Sequence, residues 1–320
     1  MKKGLVSIII VNYNGKDLLK SILSSLEKSD YNNFEIIVVD NKSNDGSQEF
    51  IKKNYKIVKL VSNKKNLGYS GINSALKFCN GEFILFLNND MEIDKNCIGN
   101  LVNALKREKN AVMAAPRLVN FYNKELKSGG TWISRAFYNG HIKGNVGDSV
   151  KEIPYLGVGL IRKDFVEMFG YLFDPDYFIY AEDVDLGLRI RLAGKKAVFV
   201  PDAIMQHMHA VTMQKANKSF STYLMERNLL ITYFKILSWG DIILYLPYVL
   251  SARIAALIKD LVAMKIASAF ARFKAIFFVI FNFTFVLKKR HQTQKFRKVN
   301  DEYILKIFTE KYLFKPRIII

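Results

Sequence analysis

The sequence is poor in cysteine, in histidine and in acid. Its 320 residues include 2 cysteines, Cys79 and Cys97, too few for a disulfide framework and without metal-ligand spacing. A reducing compartment suits such a chain. No G-x-G-x-x-G follows the first apolar run, which ends in "NYNGKD", and no G-x-x-x-x-G-K-[ST] occurs. These absences argue against a nicotinamide or flavin cofactor and against a P-loop nucleotidase. The first apolar run, "LVSIIIV" after "MKKG", is too short for a signal peptide and reads as a strand, which points to an intracellular protein. Long apolar runs are also missing from the last third. It offers 11 uncharged residues between Asp241 and Arg253 and 13 between Lys274 and Lys288, both short of the roughly 18 to 20 that span a bilayer.

The acid deficit gives a net charge of +19, from 48 Lys plus Arg against 29 Asp plus Glu. It is uneven: residues 206–320 carry 19 basic against 6 acidic side chains, +13, which leaves 29 against 23, +6, for residues 1–205. Such a surface can face nucleic acid, an anionic membrane or a phosphorylated ligand. Hydrophobic residues make up 50% and charged ones 24%, the balance of a folded chain able to hold a domain of about 200 to 240 residues with an appendage.

Up to about residue 115, apolar runs of strand length alternate with segments of helical period. "LVSIIIV", "FEIIVVD", "KIVKLV", "EFILFLN" and "AVMAAP" read as strands, and "KDLLKSILSSLE", "SGINSALKFC" and "NCIGNLVNALKRE" as helices. Continuous apolar strands imply a sheet covered on both faces, hence a doubly wound, mostly parallel α/β fold. In such sheets ligands bind beyond the carboxyl ends of the strands. The polar residues there are "NYNG" at 12–15, "DNKSNDGS" at 40–47, "NKKNLGYSG" at 63–71 and "NNDME" at 88–92. Residues 116–160 read as an irregular insertion, and the chain turns basic, apolar and helical near residues 210–235. The expected division is therefore an α/β domain at 1–235 and a helical region at 236–320.

Three clusters can carry chemistry. Asp40 begins a polar loop in which Asp45 or Ser47 can cap a helix, and its own carboxylate is expected to face the ligand crevice. "YAEDVDLGLRIRLAG" places Glu182, Asp183 and Asp185 in the first turn of a helix. Acids are favoured there by the helix dipole, yet a cap needs one carboxylate, and one in a cleft can act as a general base. His207 and His209, two of 4 histidines, lie in "QHMH"; either could complete a weak metal motif formed by Asn88, Asn89 and Asp90.

"VSIIIVNYNGKDLLKSILSSL", "FEIIVVDNKSNDGS", "NLGYSGINSAL", "GEFILFLNNDMEI", "GVGLIRKDFVEMFGYLFDPDYFIYAEDVDLGLRIRLAGKKAVFVPDAIMQH" and "ERNLL", in this order, resemble glycosyltransferase family 2, inverting enzymes of the GT-A fold, near its rhamnosyltransferase-like branch. The resemblance implies hexosyl or rhamnosyl transfer from a nucleotide-diphosphate sugar to a glycan or lipid-linked saccharide. It implies a Mg2+ or Mn2+ cofactor held by Asp90, Asn88 and His207, although Asn88 replaces the family's usual first aspartate. It places Asn12, Asn14, Asp40, Asn66, Gly68 and Asn89 on the nucleotide sugar, with Asp183 as catalytic base. Gly157, Gly159, Glu182 and Trp132 fall toward the acceptor. Mg2+ accepts one or two protein carboxylates beside substrate phosphates, so one aspartate suffices.

The tail reads as basic amphipathic helices lying on a membrane surface, at the cytoplasmic face. A soluble helical subdomain or a homo-oligomer interface is the competing use. Nucleic acid is not the expected partner, because the aromatics cluster instead of interleaving with Lys and Arg. Two other functions stay open: a nucleotidyltransferase on a similar sheet, and a catalytically dead glycan-binding homologue.

Overall fold

A computed structural model describes residues 1–128, 130–142, 147, 149–208 and 217–309. Strand β1 (Lys2–Asn12) leads to helix α1 (Lys16–Glu27), β2 (Phe34–Asp40), α2 (Ser47–Asn54) and β3 (Lys59–Ser62). A 3-10 helix over Gly68–Phe78 precedes β4 (Gly81–Asn88), β5 (Met91–Ile93), α3 (Cys97–Arg107) and β6 (Ala111–Asn120). The short strands β7 (Leu126–Ser128), β8 (Thr131–Ile133), β9 (Asn139–His141) and β10 (Lys151–Ile153) follow, then β11 (Gly159–Arg162), α4 (Lys163–Phe169), α5 (Glu182–Leu192) and β12 (Lys196–His207). Five helices end the described chain: α6 (Lys218–Ile236), α7 (Trp239–Val262), α8 (Ile266–Phe281), α9 (Phe283–Gln294) and α10 (Asp301–Leu305).

Among the described residues the main sheet runs β10-β12-β6-β11-β4-β1-β2-β3, with β5 on β12 and β7 on β6. The left half, β4-β1-β2-β3, is parallel throughout. Six consecutive residues of β1, Leu5–Ile10, are buried, as expected when both faces are covered. The sheet is mostly parallel, as its apolar runs imply: β1, β2, β3 and β4 are parallel, as are β6 and β12. The short strands β5, β7, β10 and β11 pair antiparallel, β11 with both β4 and β6, and a strand of four residues carries no signal of its direction. The segment "SGINSALKF" is helical with 3-10 rather than α geometry. Residues 116–160 contribute the separate β8-β9 hairpin.

Two apolar cores result. One joins β1, β2, β4, β6, β11 and β12 to α1, α3 and α4 through residues such as Ile8, Leu23, Phe86, Leu101 and Phe165. The other joins α5 and α6 to the tail and to the hairpin, through Leu188, Tyr233, Val249, Val279, Val286, Ile304 and Phe137. The tail is thus packed against the helix that carries Asp183.

Candidate active site

Parallel strands present their last residues along one edge. Asn12 ends β1 and Asp40 ends β2, in register with one another. The Asn12 amide donates to Asp40 Oδ2 (3.0 Å) and to Ser43 Oγ (3.2 Å), while Asn89 Nδ2 donates to Asn12 Oδ1 (2.7 Å). Asp40 Oδ1 accepts from the Ser43 N–H (2.9 Å) and Gln48 Nε2 (2.7 Å). Both carboxylate oxygens are engaged inside the protein, and Asp40 is buried. Its position braces the loop rather than leaving a bare carboxylate in the crevice. Asn14 is exposed, with φ 50°, and its Oδ1 accepts from the Asn44 N–H (2.9 Å). Asp45 accepts from the Ser47 N–H (3.1 Å) just ahead of α2, but the cap position is Gly46, which has no side chain to bond, so neither Asp45 nor Ser47 is the N-cap.

Gly68 shows why "NLGYSG" needs its glycine. It has φ +62°, and a Cβ there would lie 2.2 Å from the Phe178 carbonyl oxygen. That carbonyl accepts from the Tyr69 N–H (2.7 Å) and the Ser70 N–H (3.3 Å), and Asn66 Oδ1 accepts from the Gly68 N–H (2.8 Å). The 3-10 helix is therefore docked on the loop before α5. That loop holds three non-glycine residues in the left-handed region, Phe178, Tyr180 and Ala181, a conformation that persists only where surroundings enforce it. Asn228 of α6 enforces it: its Nδ2 lies 3.0, 3.2 and 2.7 Å from the carbonyls of Tyr177, Ile179 and Tyr180. Arg227 Nη2 adds a bond to the Asp176 carbonyl (2.8 Å).

The strained turn delivers Glu182 and Asp183 to the start of α5. Asp183 Oδ1 accepts from the Val184 N–H (2.8 Å), and a Cβ on Gly157 would lie 3.5 Å from Asp183 Oδ2. The Tyr69 hydroxyl donates to the Gly157 carbonyl (2.8 Å). Burial, then the charges of Glu182, Asp183 and Asp90, push the Tyr69 hydroxyl well above its usual pKa; the space about Tyr69 is the candidate site. Burial also raises the Asp183 carboxyl to about 6, against the backbone N–H bonds that lower it. Glu182 is raised well above the carboxylate range by burial and then by its neighbour Asp183. Its Oε2 is buried without a hydrogen-bond partner.

On the other side of that space, β5 pairs antiparallel with the end of β12, Met91 opposite His207. The pairing brings His207 Nε2 to 3.0 Å from Asp90 Oδ2, and the Met208 N–H donates to the Asp90 carbonyl (2.9 Å). Asn88 ends β4, opposite Val11. Among the described residues no group of three or more His, Cys, Asp or Glu side chains could enclose a metal. His209 lies outside the described residues. Two further residues were expected toward the acceptor. Gly159, with φ +154°, is buried in the sheet, where a Cβ would lie 2.6 Å from the Ala114 carbonyl. Trp132 is buried in the β8-β9 hairpin beneath Gly140.

Below the site lies a buried charge cluster with no catalytic geometry. Lys235 Nζ is 2.7 Å from Asp174 Oδ2 and 2.6 Å from Asp185 Oδ1. Lys289 Nζ is 2.6 Å from Asp174 Oδ1, and Arg189 pairs with Asp185 at 2.7 Å. The two lysines hold Asp174 well below the usual range despite its burial. The cluster bolts α5 and the strained loop to α6 and α9. Tyr69, Asn228 and this cluster are the parts of the site that reading the sequence missed; "GYSG" and "ERNLL" were their only signals.

A sequence model of "Glycosyl transferase family 2" matches residues 7–167. A dolichyl N-acetyl-α-D-glucosaminyl phosphate 3-β-D-2,3-diacetamido-2,3-dideoxy-β-D-glucuronosyltransferase of Methanococcus voltae is 22% identical over 245 residues, 72% of this chain and 76% of its own length. A UDP-Glc:α-D-GlcNAc-diphosphoundecaprenol β-1,3-glucosyltransferase of Escherichia coli is 36% identical over 92 residues, 28% of this chain and 36% of its own length. The O-antigen biosynthesis protein RfbC of Myxococcus xanthus is 27% identical over 221 residues, 63% of this chain, but the match spans only 17% of the relative. Among solved structures, GalNAc-T7 with UDP, GalNAc and Mn2+ superposes with a TM-score of 0.63 at 18% identity, over 78% of this chain and 50% of the other. Staphylococcus aureus TarS residues 1–349 with UDP gives 0.53 at 17% identity, over 72% and 66%. The family match spans half the chain and the structural neighbours share its sheet, so the chain belongs to glycosyl transferase family 2.

Proposed function

We propose that this chain is an inverting glycosyltransferase that moves a sugar from a nucleotide-diphosphate sugar to a saccharide or lipid-linked acceptor, with Asp183 as general base. The observation that carries the reading is Asp183 itself. It is a carboxylate at a helix start, raised to about 6 by burial, with no cation paired to it among the described residues. Its charge and that of Asp90 both act on the Tyr69 hydroxyl. A base near that pKa is ionised at neutral pH and still basic enough to take a proton.

Inversion requires the acceptor oxygen to attack the anomeric carbon from the face opposite the departing diphosphate. As the new C–O bond forms and the bond to the diphosphate breaks, Asp183 takes the hydroxyl proton. Gly157 leaves room beside Asp183 Oδ2 for that hydroxyl, and Tyr69 fixes the Gly157 carbonyl. The strand-end asparagines Asn12, Asn14 and Asn89, with the loop braced by Asp40, form the donor side.

The donor set at Asp90 fits a divalent ion. A carboxylate and an imidazole stand side by side there, Asp90 Oδ2 and His207 Nε2 being 3.0 Å apart, a donor pair of the kind divalent ions accept. Asp90 and His207 would hold the ion, with Asn88 beside them, and its charge when bound would offset that of the leaving diphosphate. The neighbours solved with UDP, UDP-GlcNAc and Mn2+ support both the donor class and the metal. Relatives named for lipid-linked substrates support an acceptor at a membrane, here assigned to the cytoplasmic face. The catalytic domain would span residues 1–235, with 236–320 turned to the membrane.

A panel of hexosyl and rhamnosyl nucleotide sugars, tested for thermal stabilisation with and without Mn2+, checks the reading. At least one donor should raise the melting temperature, and more so with Mn2+. No stabilisation by any donor would overturn it.

A further inference from the structure

We infer that the α7–α8 hairpin is a wedge that enters one leaflet of an anionic bilayer without crossing it. Helix α7 has 24 residues and is the one described helix long and apolar enough to cross a membrane on length and composition. Its middle, however, is tied to the protein. Arg253 is buried; its Nη1 donates to the Ala136 carbonyl (2.7 Å) and its Nε lies 3.3 Å from Glu226 of α6. The Tyr138 hydroxyl donates to the Ala252 carbonyl (3.2 Å), and Val249 and Ala252 are buried. A spanning α7 would have to break these contacts and carry Arg253 into hydrocarbon unpaired.

Beyond Arg253 the hairpin changes character. Ile254, Ile258, Leu261 and Val262 of α7, Met264 and Ile266 at the turn, and Phe270, Phe273, Phe277 and Phe281 of α8 are all exposed; Val262 and Met264 are each 80% exposed. The four phenylalanines recur at three- and four-residue spacing, so they share one helix face. An apolar patch of this extent marks an interaction site.

Charge selects the occupant. Lys259, Lys265 and Lys274 flank the patch and are exposed. The one acid in the stretch, Asp260, is engaged by Arg272 (2.9 Å), which also pairs with Glu226. The outward charge is therefore positive around an apolar tip, the pattern of an interfacial element on anionic lipid. This inference extends the membrane assignment above and stands or falls separately from donor chemistry.

The test floats the purified full chain with sealed vesicles of phosphatidylglycerol and phosphatidylcholine, or of phosphatidylcholine alone. The chain should rise with the anionic vesicles and stay behind with the zwitterionic ones. Met264→Glu with Phe270→Glu should weaken that partition at least tenfold, with unchanged circular dichroism and unchanged UDP binding in Mn2+ buffer. Equal flotation with both vesicles would overturn the inference. So would a vesicle-indifferent chain that is dimeric in solution and made monomeric by the double variant, since the patch would then be covered by a second copy. Because Cys79 and Cys97 are buried, a fluorophore on Ala263→Cys reports the tip. It should be quenched by lipids labelled near the head group on the side of addition. Quenching only by an impermeant reagent enclosed in the vesicle would mean that α7 crosses, and would also overturn the inference.

Discussion

Asp183 and Asp185 sit two residues apart on the first turn of α5 and have opposite fates. Asp185 is fully buried but meets Lys235 at 2.6 Å and Arg189 at 2.7 Å. Asp183 meets backbone N–H groups and apolar surroundings, and its carboxyl rises to about 6. Burial alone raises a carboxylate, and at Asp174, in the same cluster as Asp185, the two lysines reverse that effect. The same helix start thus supplies one acid that holds the fold and one available for proton transfer. The acid-rich stretch "DPDYFIYAEDVD" divides along this line, with Asp174 and Asp185 in the cluster and Glu182 and Asp183 in the site.

Substituting Asp183 and the cation that pairs with Asp185 should break the comparison in opposite directions. Asp183→Asn should lower turnover about 100- to 10,000-fold, the usual range for a positioned base, while leaving the melting temperature at pH 8 equal or higher. Lys235→Met should leave Asp174 and Asp185 buried without their shared cation, at a cost of about 3 to 5 kcal/mol in chemical denaturation. If Lys235→Met unfolded no more easily than the parent, the cluster would not be the structural half of the pair.

The metal side should respond next. Asp90→Asn should abolish the dependence of activity on Mn2+, whereas Asn88→Asp should be tolerated, both read from rates across a Mn2+ titration. Reversal of these two outcomes would remove Asp90 from its assigned place.

The pH profile sharpens the same contrast. The acid limb of kcat/KM should rise about tenfold per pH unit and level off above about pH 6, as Asp183 ionises. The stability effect has the opposite sign. Because the folded pKa lies above the usual value, the proton on Asp183 stabilises the fold at low pH, and that contribution is lost as pH rises through about 6. Asp183→Asn should therefore gain on the parent protein at pH 8 and not at pH 3.5. The smallest effect belongs to Tyr69→Phe, which strips a donor from the Gly157 carbonyl and should slow turnover about fivefold, near 1 kcal/mol.

Much of this was legible in the chain because the relevant signals are local. Continuous apolar runs announced buried strands, and the polar residue at each run's end marked the ligand edge; Asn12, Asp40 and Asn88 end β1, β2 and β4. What stayed hidden depends on distant partners. Lys235 lies 61 residues from Asp174, and Asn228 holds carbonyls about 50 residues away. Nothing near either residue in sequence names its distant partner. Gly159 looked like a site glycine because it stands in the same stretch as Gly157, but Gly157 lies in the loop before β11 and Gly159 is the first residue of that strand. Gly157 faces Asp183, while Gly159 makes room for the neighbouring strand. Strand β11 hid its direction for a related reason, since apolar content reports burial and not orientation.

The most direct test follows release of nucleoside diphosphate by the parent protein and Asp183→Asn side by side. It would use a donor that stabilises both, with Mn2+ and a lipid extract as acceptor source. The account predicts rapid release by the parent, loss of at least 100-fold in the variant, and equal donor binding by the two. Equal rates of release would contradict it, because Asp183 would then be only a helix cap.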